Sequence, residues 1–214
     1  MSAVARRSAR ERILSAAVRR IAQEGIDGVR IARIATDARV SPALVHYHFA
    51  TRDALLAQAL EYSYAHAGDA RITGAEAPSL GESEAAQSHA ERLASMIEQS
   101  LPTTPALEDD WVLWVELWLR AVRHHEFREV AESLYARMHV WFATEIAAGV
   151  AAGEFAPCDP GGVADRLIAL IDGYGVRTLI GDRAVPLERA RRAITDVIAR
   201  ELAVERALQG EPVA

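Results

Sequence analysis

The stretch VSPALVHYHFATRDALL, Val40 to Leu56, places four ring side chains in consecutive positions, His46 to Phe49. Three readings compete: a His-x-His metal pair, a piece of core packing, or a very short helix that presents rings to an outside partner. The flanks define the element. Ser41 is a good N-cap, and Pro42 falls at the first helical position, where a missing N–H costs nothing. The helix cannot run far, because Thr51 offers a second cap, with Asp53 in the next first turn and Leu55, Leu56 and Leu60 at helical spacing. On one helix His46 and His48 point roughly 200° apart, which removes the metal reading. Phe49 is expected inward as a plug, and the other rings outward.

Working upstream, Ser8 and Glu11 form a capping-box pattern, and Ile13, Leu14, Ala17, Val18, Ile21 and Ala22 mark one face of a helix that Gly25 is expected to stop. A second short helix spans Ile31 to Ala38, and a tight turn leads to Ser41. Three short helices, the third entered from a tight turn, are the layout of a helix-turn-helix unit, whose third helix lies in the DNA major groove. Some side chains must then reach base edges and others must grip phosphates. Arg30, Ala43, Leu44 and His46 are assigned to base edges. Tyr47, His48 and Arg52 are assigned to the phosphate backbone, with Ser41 completing the set at the helix start. Residues 1–50 form the expected DNA-binding domain and 51–214 a larger helical domain.

Composition agrees with that division. Half of the 214 residues are apolar and a quarter charged, as in a globular protein. All 24 basic residues are arginine, which removes Schiff-base chemistry, a P-loop and any lysine base. The net charge of -6 hides an asymmetry: residues 1–60 hold ten arginines against five acids, and the remainder fourteen against twenty-five. A basic end suits a polyanion. The N-terminus lacks the apolar region of a secretory signal, and no apolar run approaches the ~20 residues that span a bilayer, so a cytoplasmic protein without a membrane partner is expected. Cys158 alone excludes an internal disulfide and reads as a loop thiol. His124-His125-Glu126 invites comparison with a metalloprotease helix, but four residues after His125 stands Glu129. No enzyme, metal or cofactor is expected.

Beyond residue 60 the periodicity stays helical, so the fold class is all-α, with about nine helices. A loop is expected over Gly68–Ser88, then helices near Ser83–Leu101, Leu107–His124, Glu126–Gly153, Pro160–Gly181 and Pro186–Leu208. The helix holding WVLWVELWLRAV is apolar nearly all round, with Glu116 and Arg120 as an i, i+4 pair on its one polar edge. Trp111, Trp114 and Trp118 share one face, a pattern that suits either core or ligand box. Glu145 falls on the stripe of Leu134, Met138, Trp141 and Phe142, and a carboxylate aimed at an apolar interior needs an arginine, a water or a ligand. Trp114, Trp118, Met138, Trp141, Phe142 and Glu145 are the candidate ligand residues. Such a pocket suits an organic cation or, second, a lipophilic aromatic.

The run IARIATDARVSPALVHYHFATRDALL resembles the DNA-binding domain of the tetracycline-repressor family, whose pattern reads roughly IA-x-x-AGVS-x-x-x-LYYHF-x-x-K-x-x-LL. The match is dense from Ile34 to Leu56 and includes R-x-x-IL-x-AA at Arg10 to Ala17. Arg30, Arg39 and His46 depart from the usual Thr or Ser, Gly and Tyr, and Arg52 replaces a lysine. From Trp111 through Gly173 the layout is similar to the subgroup named for the choline-responsive repressor of betaine synthesis. The resemblance implies a repressor released from a palindromic double-stranded operator by a small-molecule effector. It also implies a homodimer built by the last two helices, whose apolar faces carry Leu167, Leu170, Ile171 and Tyr174, and Leu187, Ala190, Ile194, Val197 and Ile198. The alternative from another class is a helical small-molecule-binding or adaptor protein that does not read DNA.

Overall fold

The computed structural model describes residues 8–73 and 87–204. Its elements are α1 (Ala9–Gly28), α2 (Ile31–Ala38), α3 (Pro42–His48), α4 (Arg52–Thr73), α5 (His89–Gln99), α6 (Pro105–Ala121), α7 (His125–Ala151), α8 (Pro160–Leu179) and α9 (Leu187–Glu201). Among the described residues there is no strand, so the all-α expectation holds. None of these helices is long and apolar enough to cross a membrane. Packing divides the chain into two compact units, residues 1–70 with 112–134 and residues 71–111 with 135–214. The sequence motifs divide at residue 50, whereas packing places the dividing points inside α4, α6 and α7.

In the first unit α1, α2 and α3 pack on one another. Ser8 caps α1 in a complete capping box, its Oγ accepting from Glu11 N at 3.2 Å while its own N donates to the Glu11 carboxylate at 2.8 Å. Ile13, Leu14, Ile21, Ile34, Val45, Phe49, Leu55 and Leu56 form one buried cluster with Leu117 and Phe127. Arg20 then clips α1 to α2: its Nε and Nη2 donate to the two oxygens of Asp37 at 2.6 and 3.0 Å and its Nη1 to Glu24 at 2.5 Å. These bonds hold the Asp37 and Glu24 carboxyls below their usual range.

Gly25 kinks α1 rather than stopping it. At φ 65° and ψ 165° it adopts a backbone that only glycine takes easily, and the helix resumes to bury Ile26. The polar edge of α6 faces this kink. A Cβ on Gly25 would meet Glu116 Oε1 at 2.9 Å, and Arg120 pairs with Asp27 on α1 where an internal pair with Glu116 was expected.

In the second unit α8 and α9 pack together, burying Leu167, Ile171, Ala190, Ile194 and Ile198. Arg191 of α9 donates to Glu98 of α5, its Nε to Oε2 at 2.8 Å, and Arg166 of α8 pairs with Glu201 at 2.7 Å. Trp111 is core: its Nε1 donates to Ser100 O at 3.2 Å and its ring lies where a Cβ on Gly175 would be, 2.2 Å from that position.

Three expected boundaries move. The helix of α4 runs to Thr73, so the loop reading fails over 68–73, and 74–86 lie outside the described residues. The next helix starts at His89 instead of Ser83 because Ser88 is the cap, in a second complete capping box with Glu91. The last helix ends at Glu201 rather than Leu208, and residues 205–208 lie outside the described residues.

Candidate nucleic-acid interface and effector site

Helix α3 is two turns long, and its ends are fixed by side chains that the sequence makes plain. Ser41 Oγ accepts from Leu44 N at 3.2 Å, Pro42 occupies the first turn, and Phe49 closes the helix through its N–H to Val45 O at 3.0 Å. Val45 and Phe49, one turn apart, anchor it in the core at 1% and 2% exposure. The opposite face is therefore bare. Ala43, His46 and Tyr47, at i, i+3 and i+4, are exposed, with Leu44 and His48 half-buried at the flanks. Tyr47 is 81% exposed, an unburied aromatic ring on a helix whose other face is core. Its ring meets that of His48 edge-on at 5.3 Å.

Arg52 is placed differently from the other seven candidates of this face. Its Nε donates to Val29 O at 3.2 Å and its Nη2 to Ile26 O, so the guanidinium that was assigned to phosphate sits on the carbonyls ending α1. Helix α1 has no basic residue in its own last turn, and Arg52 supplies the positive charge from α4. Arg12 does the same for α2, its Nε donating to Ala38 O at 3.2 Å. Arg30, exposed at the start of α2, makes no side-chain cap bond.

The six candidate ligand residues are divided between the two units. Trp114 and Trp118 belong to the first unit, with ring centroids 5.8 Å apart and Trp114 packed on its core. Met138, Trp141, Phe142 and Glu145 belong to the second unit, where Phe142 is fully buried and Met138 and Trp141 are half-buried. Glu145 has internal partners, its Oε1 lying 2.7 Å from His89 Nδ1 and accepting from Arg92 Nε at 2.9 Å. At 18% exposure this carboxylate is satisfied by α5. The partners were invisible in the sequence because α5 lies more than fifty residues upstream.

Asp172, on α8, is half-buried and accepts from Tyr135 Oη at 2.6 Å. No cation of the described residues contributes to its charge balance, and burial pushes its carboxyl up to about 6, against the lowering effect of the Tyr135 bond. Gly175, with the Trp111 ring against it, lies one turn further along the same helix face. Tyr135, Trp111 and Asp172 all belong to the second unit.

Comparison with known proteins supplies the identity. Residues 89–203 match the family described as BetI-type transcriptional repressor, C-terminal, and residues 13–59 match the family described as bacterial regulatory proteins, tetR family. The chain belongs to the TetR family. It is similar to the HTH-type transcriptional regulator BetI of Brucella melitensis biotype 2, at 26% identity over 198 residues covering 90% of this chain and 91% of the relative. A transcriptional regulator from Saccharomonospora viridis, solved in complex with choline, superposes with a TM-score of 0.77 at 33% identity, covering 92% of this chain and 98% of that one. A TetR-family regulator from Rhodococcus sp. gives 0.75 at 30% identity, covering 91% and 98%. The protein is thus a ligand-responsive transcriptional regulator and not an enzyme.

For this TetR-family regulator Asp172 makes stability depend on pH in a defined direction. Its folded pKa, about 6, lies above the ordinary 3.8, so the native state binds the proton more tightly than the unfolded chain does. Stability is then greatest below about pH 4, falls as pH rises through 6, and is level above it, by on the order of 1–3 kcal/mol for this one group. Asp172→Asn should remove that component and raise stability at pH 7.5. Urea unfolding at pH 4.5, 6 and 7.5 measures it; equal slopes in the two proteins would show that Asp172 is solvated. Burial and the nearby charges of Asp159 and Glu201 push the Cys158 thiol up, away from thiolate chemistry.

Proposed function

We propose that the regulator acts in the cytoplasm as a homodimer whose two α3 helices read an inverted repeat, and that an organic cation releases it. The observation that carries the DNA reading is the bare outer face of α3, with Tyr47 81% exposed. Ala43, Leu44 and His46 meet base edges, with Arg30 beside them, while Tyr47, His48 and Ser41 hold phosphates. Dimerisation is supported by α8 and α9, where Leu170, Tyr174, Leu187 and Val197 are only partly covered by their own chain. Two-fold protein symmetry then meets two-fold DNA, with half-sites one helical turn apart or a multiple of it.

The effector assignment moves from Glu145, which His89 and Arg92 already serve, to Asp172. A half-buried carboxylate without a cationic partner, beside the Tyr135 hydroxyl and one turn from the Trp111 ring, suits a quaternary ammonium or amine. The choline complex of the Saccharomonospora viridis regulator supports this chemical class. Met138 and Trp141, on the same helix as Tyr135, remain candidate wall residues. Binding in the second unit lowers operator affinity by its differential affinity for the two conformations, typically ~1–3 kcal/mol.

DNase footprinting on the intergenic DNA upstream of the gene tests the DNA reading: two protected half-sites in inverted orientation are expected, and a single protected half-site bound by a monomer contradicts it. On that DNA Tyr47→Ala should weaken binding to operator and to unrelated duplex by the same factor, about tenfold, because a phosphate contact carries no sequence information. A changed preference among operator variants would move Tyr47 to the base-reading set.

A further inference from the structure

The basic character of the first sixty residues is mostly consumed by the fold. Arg10 donates to Gln58 and lies over the Phe49 ring, Arg12 and Arg52 sit on helix carbonyls, Arg19 donates to Ser15, and Arg20 and Arg33 pair with acids. Among the described residues this leaves Arg30 and Arg39, at the two ends of α2, with exposed side chains and no side-chain partner. Helix α3 itself, PALVHYH, carries no permanent cation.

Arg39 also carries a backbone cost. It ends α2 at φ 55° and ψ 50°, in the left-handed region, where its N–H bonds Thr36 O at 3.1 Å and the next N–H bonds Ala35 O at 3.0 Å. That closure is the one glycine performs without strain, and any residue with a Cβ is strained there. No hydrogen bond or ion pair among the described residues offsets the cost, since the guanidinium of the exposed Arg39 has no such partner there. Strain that persists without a local return points to a function of the side chain.

The position defines that function. Arg39 lies two residues before Ser41, the cap of α3, and the N-terminal end of a recognition helix is the end inserted among base edges. The chain entering that helix must pass the phosphates bordering the groove. We propose that Arg39 is a DNA-backbone contact of this regulator, a guanidinium carried on the turn and held outward by a strained residue, which supplies the phosphate charge that α3 lacks. The proposal rests on the DNA-binding reading and adds one residue to it.

Arg39→Gly separates the proposal from a folding effect because the two consequences have opposite signs. Thermal unfolding should show the variant equal to or more stable than wild type. Fluorescence anisotropy on the footprinted operator, across 50 to about 200 mM salt, should show weaker binding by roughly three- to tenfold and a log–log salt slope shallower by about 0.9 per protomer. Unrelated duplex should lose the same factor, and Arg39→Lys, which keeps both charge and backbone strain, should retain most of the slope. Unchanged affinity and slope in Arg39→Gly overturn the proposal while leaving the DNA-binding reading intact. Wild-type protein that binds no DNA overturns both.

Discussion

Asp172→Asn is expected to leave operator affinity unchanged in the absence of effector and to raise the quaternary ammonium concentration for half-maximal release by on the order of 30- to 100-fold. The size follows from Coulomb's law: a full charge about 5 Å from a cation, at an effective dielectric near 20, contributes about 3 kcal/mol, which solvent screening at a half-buried site lowers to roughly 2–3 kcal/mol. The asparagine keeps the shape and the acceptor for the Tyr135 hydroxyl, which lies 2.6 Å from the carboxylate. The same variant gains stability above pH 6, since the native state no longer holds a carboxylate whose pKa is raised to about 6. A more stable protein that no longer answers to a cation is the signature of a carboxylate kept for a ligand. Operator-release titrations with choline, tetramethylammonium and neutral aromatics of similar size measure it. Equal sensitivity of both proteins to choline, or release by the neutral aromatics alone, would remove Asp172 and the cation from the account and leave the lipophilic effector.

Arg52→Ala should act on stability, with a loss of about 2–4 kcal/mol in the unfolding of the first unit. Two helix-ending carbonyls, Ile26 O and Val29 O, lose the charged donor that satisfies them, and the C-terminus of α1 loses the positive charge bonded directly to its last carbonyls. Arg52→Lys recovers little, because one ammonium does not reproduce the two directions in which the guanidinium donates. Urea titration followed by circular dichroism gives the loss of stability. For the protein that remains folded, the salt slope of DNA binding should equal that of wild type. A slope shallower by about 0.9 per protomer, with stability unchanged, would return Arg52 to the phosphate.

Arg52 shows which part of the site was legible in the sequence. The residue type and position in the motif were plain, and so were the caps at Ser8, Ser41 and Thr51, because caps act within three or four residues of chain. Phe49 was placed inward correctly on helical spacing alone and is 2% exposed. A side chain's partner twenty-six residues away obeys no such periodicity, and the carbonyls of Ile26 and Val29 leave no mark in the sequence near Arg52.

The ligand side was less legible for the same reason. Glu145 stood out as an acid on an apolar stripe, yet its pairing depends on His89 and Arg92 of α5, in a helix whose start the sequence placed six residues early. Asp172 gave a weaker signal, an acid next to the buried Ile171 and one turn from Gly175, with small residues around it making room for the Trp111 ring. Only the packing of α7 on α8 shows that it accepts from a neutral hydroxyl, that of Tyr135. The fold class needed none of this, since helical periodicity and capping act locally along the whole described chain.

In the proposed mechanism DNA binding and cation binding are linked through one protein. Fluorescence anisotropy of wild-type protein on its footprinted inverted repeat, titrated with choline and with an equal ionic strength of sodium chloride, tests it most directly. Release by choline is expected at concentrations where sodium chloride has no effect, with choline binding tighter to free protein than to the DNA complex by the same factor. Saturable choline binding that leaves operator affinity unchanged would contradict it.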